Sequence, residues 1–182
     1  MKKFLFSFAV MALCSMVSFA GKNNPLVGVW QKVEYRGPGI IMIGSAGKVF
    51  MPDGRLFGFY LNPADYDHYE DFDFNPWLFG NYEVTSDNTY HEKITLHQAG
   101  PQWETDAYFT YKFLNSRILL AEFTHVFPDG TKRTITDVWI KAVYDEKERK
   151  ELLKKVADNW DEYMQRAKII FGRMSYDDCP IR

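Results

Sequence analysis

The sequence predicts a mainly β protein: an antiparallel, up-and-down barrel of about eight to ten strands, with one long C-terminal α-helix packed on its outside. Three observations carry this expectation. Segments rich in Val and aromatic residues follow one another along the chain, separated by short hairpin-type turns. Two of the connections share one chemistry, Pro52, Asp53, Gly54 and Pro128, Asp129, Gly130, in which Pro sets φ and Gly supplies a left-handed position. From Asp145 onward the apolar period changes to that of a helix. A sheet of this size tends to curl and close, because closure removes its unpaired edges.

The chain opens with Met1, Lys2 and Lys3, followed by an apolar run over residues 4–13. That run has the length of a signal peptide and is short for a bilayer span. Ser18 and Ala20 place small residues before a cut at Gly21, so residues 1–20 are expected to be a cleaved leader and residues 21–182 a single exported domain, periplasmic or secreted. Lipid attachment at Cys14 is not expected, since Leu13 stands where a small residue is required. Cleavage removes two lysines and takes the formal net charge from −2 to −4. An acidic chain without a basic stripe argues against a nucleic-acid partner. Cys179 is then the single remaining cysteine, which excludes an internal disulfide and leaves stability to the core.

The strands start at residues 26–35, which contain Leu26, Val27, Gly28, Val29 and Trp30. Residues 36–47 are Gly-rich around an apolar island at 40–43 and read as a loop or a weak strand. Residues 48–51 and 55–61 flank the first Pro-Asp-Gly turn, and residues 123–127 and 131–138 the second. Further turns are expected at 85–88 and 99–104, with a two-residue turn at Asn115 and Ser116. These turns set a register in which Phe113 faces Ile118 and His125 faces Arg133. Strand alternation then places Phe109, Tyr111, Phe113, Glu122, Thr124 and Thr136 on one face, expected to line the interior. Lys112, Arg133 and Asp137 fall on the other, expected to meet water.

Asp145 with Glu148 reads as an N-cap and capping box. Leu152, Leu153, Val156, Trp160, Tyr163, Met164 and Ala167 recur at helical spacing, and Gly172 is a stop. A helix over residues 146–171 would be about 39 Å long, so a kink or an earlier end is an alternative.

The Gly28-x-Trp30 pair near the start of the exported chain, the strand meander and the late helix resemble the lipocalin superfamily. More narrowly, they resemble small exported, lipocalin-like (calycin-type) bacterial domains of unknown function. The resemblance covers nearly the whole exported chain in layout and implies that Gly28 and Trp30 form the barrel floor. It also implies an Arg packed over that Trp, for which Arg133 and Arg117 are the candidates. It further implies a small hydrophobic or amphipathic ligand in the interior.

Within that interior, Glu122 is the single charge on its face, beside Phe109, Tyr111, Phe113, Thr124 and Thr136. A buried carboxylate must be paired or protonated, so Glu122 is either a structural acid or a ligand anchor. A second stretch, residues 62–78, interleaves Tyr66, Tyr69, Phe72, Phe74 and Trp77 with Asp65, Asp67, Glu70, Asp71 and Asp73. It reads as a long loop closing the mouth. An alternative function follows from it: a barrel with a filled core that acts as a surface or glycan-binding module. The spacing lacks the central Gly and terminal Glu of an EF-hand. Neither a zinc pattern, a nucleophile elbow nor a P-loop is present, so no metal, cofactor or catalytic residue is assigned.

Overall fold

The computed structural model describes residues 24–60, 75–126, 129–175 and 178. The leader residues 1–20, Cys14 and Cys179 lie outside the described residues, as do Tyr66, Tyr69, Phe72 and Phe74. Eight antiparallel strands form one closed barrel in sequence order: β1 (Gly28–Gly37), β2 (Ile40–Phe50), β3 (Arg55–Tyr60), β4 (Asn75–Ser86), β5 (Thr89–His97), β6 (Asp106–Asn115), β7 (Ile118–Val126) and β8 (Lys132–Lys141). The barrel is closed by β1 and β8, from Trp30 opposite Lys141 to Val33 opposite Val138. Two helices follow, α1 (Glu146–Asp158) and α2 (Trp160–Ile170).

The first Pro-Asp-Gly turn forms as its chemistry dictates. Gly54 takes φ +85°, its N–H donates to the Met51 carbonyl, and the Met51 N–H donates to Arg55. In the second, Gly130 takes φ +81° and Asp129 Oδ1 accepts from the Thr131 N–H at 2.9 Å. Of the two readings of residues 36–47, strand and not loop holds: β1 and β2 continue as one long hairpin around Pro38 and Gly39. The segment expected to be a loop over 62–78 ends earlier, because β4 begins at Asn75 and includes Trp77.

The turn after β6 overturns part of the expected register. Strand β6 runs through Asn115, and Ser116 and Arg117 make the loop. Asn115 Oδ1 accepts from the N–H groups of both Arg117 and Ile118, at 2.8 and 3.0 Å, which fixes this turn. A register irregularity then sets Phe113 opposite Leu119 rather than Ile118. A slip of one residue exchanges the two faces of a strand. Phe109, Tyr111 and Phe113 still face inward, but their inward partners on β7 are Phe123, Ala121 and Leu119. His125 does face Arg133 as expected.

Strand alternation feeds two cores. The interior core holds Leu26, Trp30, Phe50, Leu56, Leu78, Tyr82, Tyr90, Phe109, Tyr111, Leu119 and Trp139. The second lies between the outer face of the early strands and the helices, and joins Val29, Val49, Phe57, Phe59 and Phe79 to Leu152, Leu153, Val156 and Ala167. Asp145 caps α1, its Oδ1 accepting from the Lys147 and Glu148 N–H groups. The single long helix is instead two, broken at Asn159, which ends α1 and precedes α2. Gly172, at φ +67°, ends α2 in a Schellman motif, with Gly172 and Arg173 N–H donating to Ile169 and Lys168.

Candidate functional site

The barrel has a filled end and a mouth end. At the filled end Trp30 is fully buried, its Nε1–H donates to the Leu26 carbonyl at 2.7 Å, and its ring meets Phe113. Asn24 donates to the Tyr82 hydroxyl, which donates to the Met51 carbonyl, so the segment before β1 is tied across this end. Gly28 takes φ +143°, and a Cβ there would meet the Arg149 side chain. The cation over Trp30 is neither Arg133 nor Arg117 but Lys141, whose Nζ stands 5.3 Å from the indole centroid. Burial and the nearby Arg149 hold the Lys141 ammonium below its ordinary pKa. Arg117 lies over Tyr144 instead.

Glu122 is not inside. It is exposed on the outer wall, opposite Thr136, whose hydroxyl donates to Glu122 Oε2 at 3.3 Å. Thr124 is also on that wall, bonded to Thr134. The one-residue slip between β6 and β7 is the cause. The same slip turns Asp137, expected to meet water, into the barrel, where its side chain is only 13% exposed. Arg133 shares its parity and stays exposed near the mouth; Lys112 is outside as expected.

The interior does hold a carboxylate, contributed by a different strand. Glu92 of β5 accepts from Lys48 of β2 through both oxygens, at 2.7 and 2.9 Å, and the two side chains are 2% and 7% exposed. The Lys48 Nζ stands 5.2 Å from the Phe109 ring, 5.5 Å from Trp139 and 5.9 Å from Trp77. Three aromatic faces and one carboxylate thus enclose a single ammonium. Tyr90 is fully buried against this pair, stacked on Phe109 at 4.6 Å. Burial first, and then the charge and hydrogen bond of Glu92, hold the Tyr90 phenol well above its ordinary pKa.

Lys32 and Asp137 form a second ion pair at 2.7 Å across the β1–β8 seam. Lys32 shares Trp30's side of β1, and this pair explains how a cation is held there. Glu34, next in the same row, pairs with Arg36 and leans over Gly44, where a Cβ would come within 2.6 Å of its carboxylate.

Toward the mouth a chain of rings runs from Tyr60 to Trp77, His97, Trp103 and His125. Trp103, in the turn before β6, is stacked between the two imidazoles, 5.8 Å from His97 and 4.4 Å from His125. His97 Nδ1 accepts from the Ala99 N–H, and burial lowers its pKa. His91 does not share this side, because the register shift between β4 and β5 falls between the two histidines. It lies outside, bonded to Asp106 and stacked on Tyr108. Of the residues the sequence nominated, Phe109, Tyr111, Phe113 and Trp77 therefore come together inside. Lys48, Glu92, Lys32, Asp137 and Trp139 were missed. A signal was present: Glu92 stands between Tyr90 and Ile94, and Lys48 beside Phe50, each a charge in an inward apolar row.

Among the described residues no three His, Cys, Asp or Glu side chains group to hold a metal, and no helix is long and apolar enough to cross a membrane. No curated protein matches the chain. The closed eight-stranded barrel fits a lipocalin-like fold. A family model described as "Domain of unknown function (DUF4488)" matches residues 25–151, more than half of the sequence, from the segment that ties off the floor to the first turns of α1. The chain belongs to the DUF4488 family.

Proposed function

We propose that this protein binds a small amphipathic molecule in the mouth half of its barrel, with the Lys48–Glu92 pair as the polar anchor. The observation that carries the reading is that buried pair, enclosed by Phe109, Trp139 and Trp77. A buried ion pair seldom stabilises a fold more than apolar side chains of the same size would. Its presence in an otherwise aromatic interior is better accounted for by recognition. The ammonium has three N–H groups, and its hydrogen bonds among the described residues go to Glu92 alone. A ligand oxygen can therefore join the pair without displacing it, while an apolar body lies against the rings. Trp30, Tyr82 and Phe113 support from below as floor. The proposal includes the calycin-type assignment, a single domain over residues 21–182 and export by cleavage of residues 1–20.

Native mass spectrometry of protein purified from its own host tests the reading. The unaltered protein is expected to carry a bound small molecule. A Lys48→Met, Glu92→Leu double variant, which removes both charges together, is expected to lose it while keeping its circular dichroism spectrum. Repeated preparations of folded protein without any bound molecule would overturn the proposal, as would undiminished binding by the double variant.

A further inference from the structure

The β1–β2 hairpin leaves the closed barrel before it ends. Pairing between β1 and β8 runs from Trp30 to Val33, and among the described residues pairing between β2 and β3 goes no further than Ala46. The cause lies in β2. Gly44, Ser45 and Ala46 stand opposite Lys32 alone, between the pairs Gln31–Gly47 and Val33–Ile43. Extra residues of this kind bend and twist their strand, which turns the tip away from β8. Two backbone edges are left open. The Ala142 N–H, just after β8, donates to the Val29 carbonyl, and the Lys141 N–H donates to Arg117 on the β7 side. Even-numbered residues of β8 therefore aim their N–H and C=O groups toward β1. The β7–β8 register is unbroken back to Lys132, so the backbone groups of Thr134 and Thr136 face a side that no described strand occupies. On β1 the same alternation, from Val29 through Gln31 and Val33, leaves Tyr35 on the open edge.

Thr134, Ile135 and Thr136 are strong strand formers, and a regular, unpaired edge of such residues is a template for another strand. The hairpin has the character of a strand pair made to be covered on one side. Val33, Tyr35, Ile41 and Ile43 share a face by register, with Tyr35 69% and Ile41 73% exposed. The Glu34–Arg36 ion pair stands on the other face with Met42. One apolar face and one charged face suit a protein surface. We infer that the partner is a second copy of this chain, the hairpin of each copy lying along the β8 edge of the other across a two-fold axis. A foreign strand would fill one edge and leave the other open. The two-fold fills both, because every chain carries one projecting hairpin and one open β8 edge. The apolar hairpin face then covers a mouth end at which Ile135 and Phe123 are half-buried.

Analytical ultracentrifugation over a concentration series tests this, together with hydrogen–deuterium exchange at the two ends of the series. The unaltered protein is expected to form a dimer, and the amides of Tyr35, Thr134 and Thr136 are expected to gain protection as concentration rises. Changing Tyr35 and Ile41 to Ser, both exposed and so without cost to the fold, is expected to weaken the dimer by about tenfold or more. A monomer at every concentration would overturn the inference and leave the hairpin to a different partner. A dimer that the serine changes do not weaken would overturn it too, as would one in which the Thr134 and Thr136 amides stay unprotected. Growth of the unaltered protein beyond a dimer would exclude the closed two-fold. None of these outcomes depends on whether the barrel holds a ligand.

Discussion

At the residue scale the decisive fact is that Lys48 and Trp30, opposite each other in the β1–β2 register, take different partners in the barrel interior. Trp30 turns to the Leu26 carbonyl and Phe113, whereas Lys48 reaches Glu92 and the ring of Trp77. The pair is deeply buried, so the two charges depend on each other. Removing one leaves the other in a low-dielectric interior, which costs about 3–5 kcal/mol. Lys48→Met alone and Glu92→Leu alone are each expected to lose about that much stability in urea denaturation. The double change is expected to lose clearly less than the sum of the two. Additive losses would show that the charges do not interact as a pair. The stability cycle is separable from ligand binding, because it is measured on protein freed of small molecules by unfolding and refolding.

At the element scale, the barrel and its inward aromatic row on β6 were legible in the sequence, because turn chemistry and period-two alternation act locally. The strands around the Pro-Asp-Gly turns held their register for the same reason: Gly54 and Gly130 take the left-handed backbone that a glycine adopts whatever surrounds it. The turn after β6 was not legible to the residue. Asn115 and Ser116 look like a two-residue turn, but Asn115 remains in the strand and its side chain binds the two N–H groups beyond it. That difference of one residue moved Glu122 from the interior to the outer wall and brought Asp137 in. The break at Asn159 was foreshadowed only by the length of the apolar stripe. Lys141 over Trp30 was not legible, because the lipocalin resemblance implies an arginine there. The register has a direct test. Glu122→Gln is expected to change stability by less than about 0.5 kcal/mol, as befits an exposed wall residue. Ala121→Glu, at a fully buried inward position, would place an unpaired charge among Tyr111 and its neighbours and is expected to prevent folding or cost several kcal/mol, a few at least. Equal tolerance of both, measured by thermal melting, would contradict the observed register.

At the scale of the whole molecule, two cores share one wall. Val29 and Trp30 on β1, Val49 and Phe50 on β2, Leu56 and Phe57 on β3, and Leu78 and Phe79 on β4 are adjacent residues that belong to opposite cores. The helices therefore do not rest on a finished barrel; they cover the outer half of strands whose inner half is the barrel interior. Trp160 and Tyr163 contact Phe57 directly, and Trp160 also meets Phe79 and lies against Arg55. Loosening α1 exposes the outer phenylalanines and weakens the very strands that hold the interior rings. Val156 is fully buried at this junction, and its change to Ala is expected to cost about 1–3 kcal/mol. The expected signature is collective: in native-state hydrogen exchange, peptides from α1 and α2 and peptides from β6 and β7 lose protection by the same factor, although β6 and β7 contribute nothing to the outer core. Loss of protection confined to the helices would mean that they detach from a barrel stable on its own, and the shared-wall account would fail.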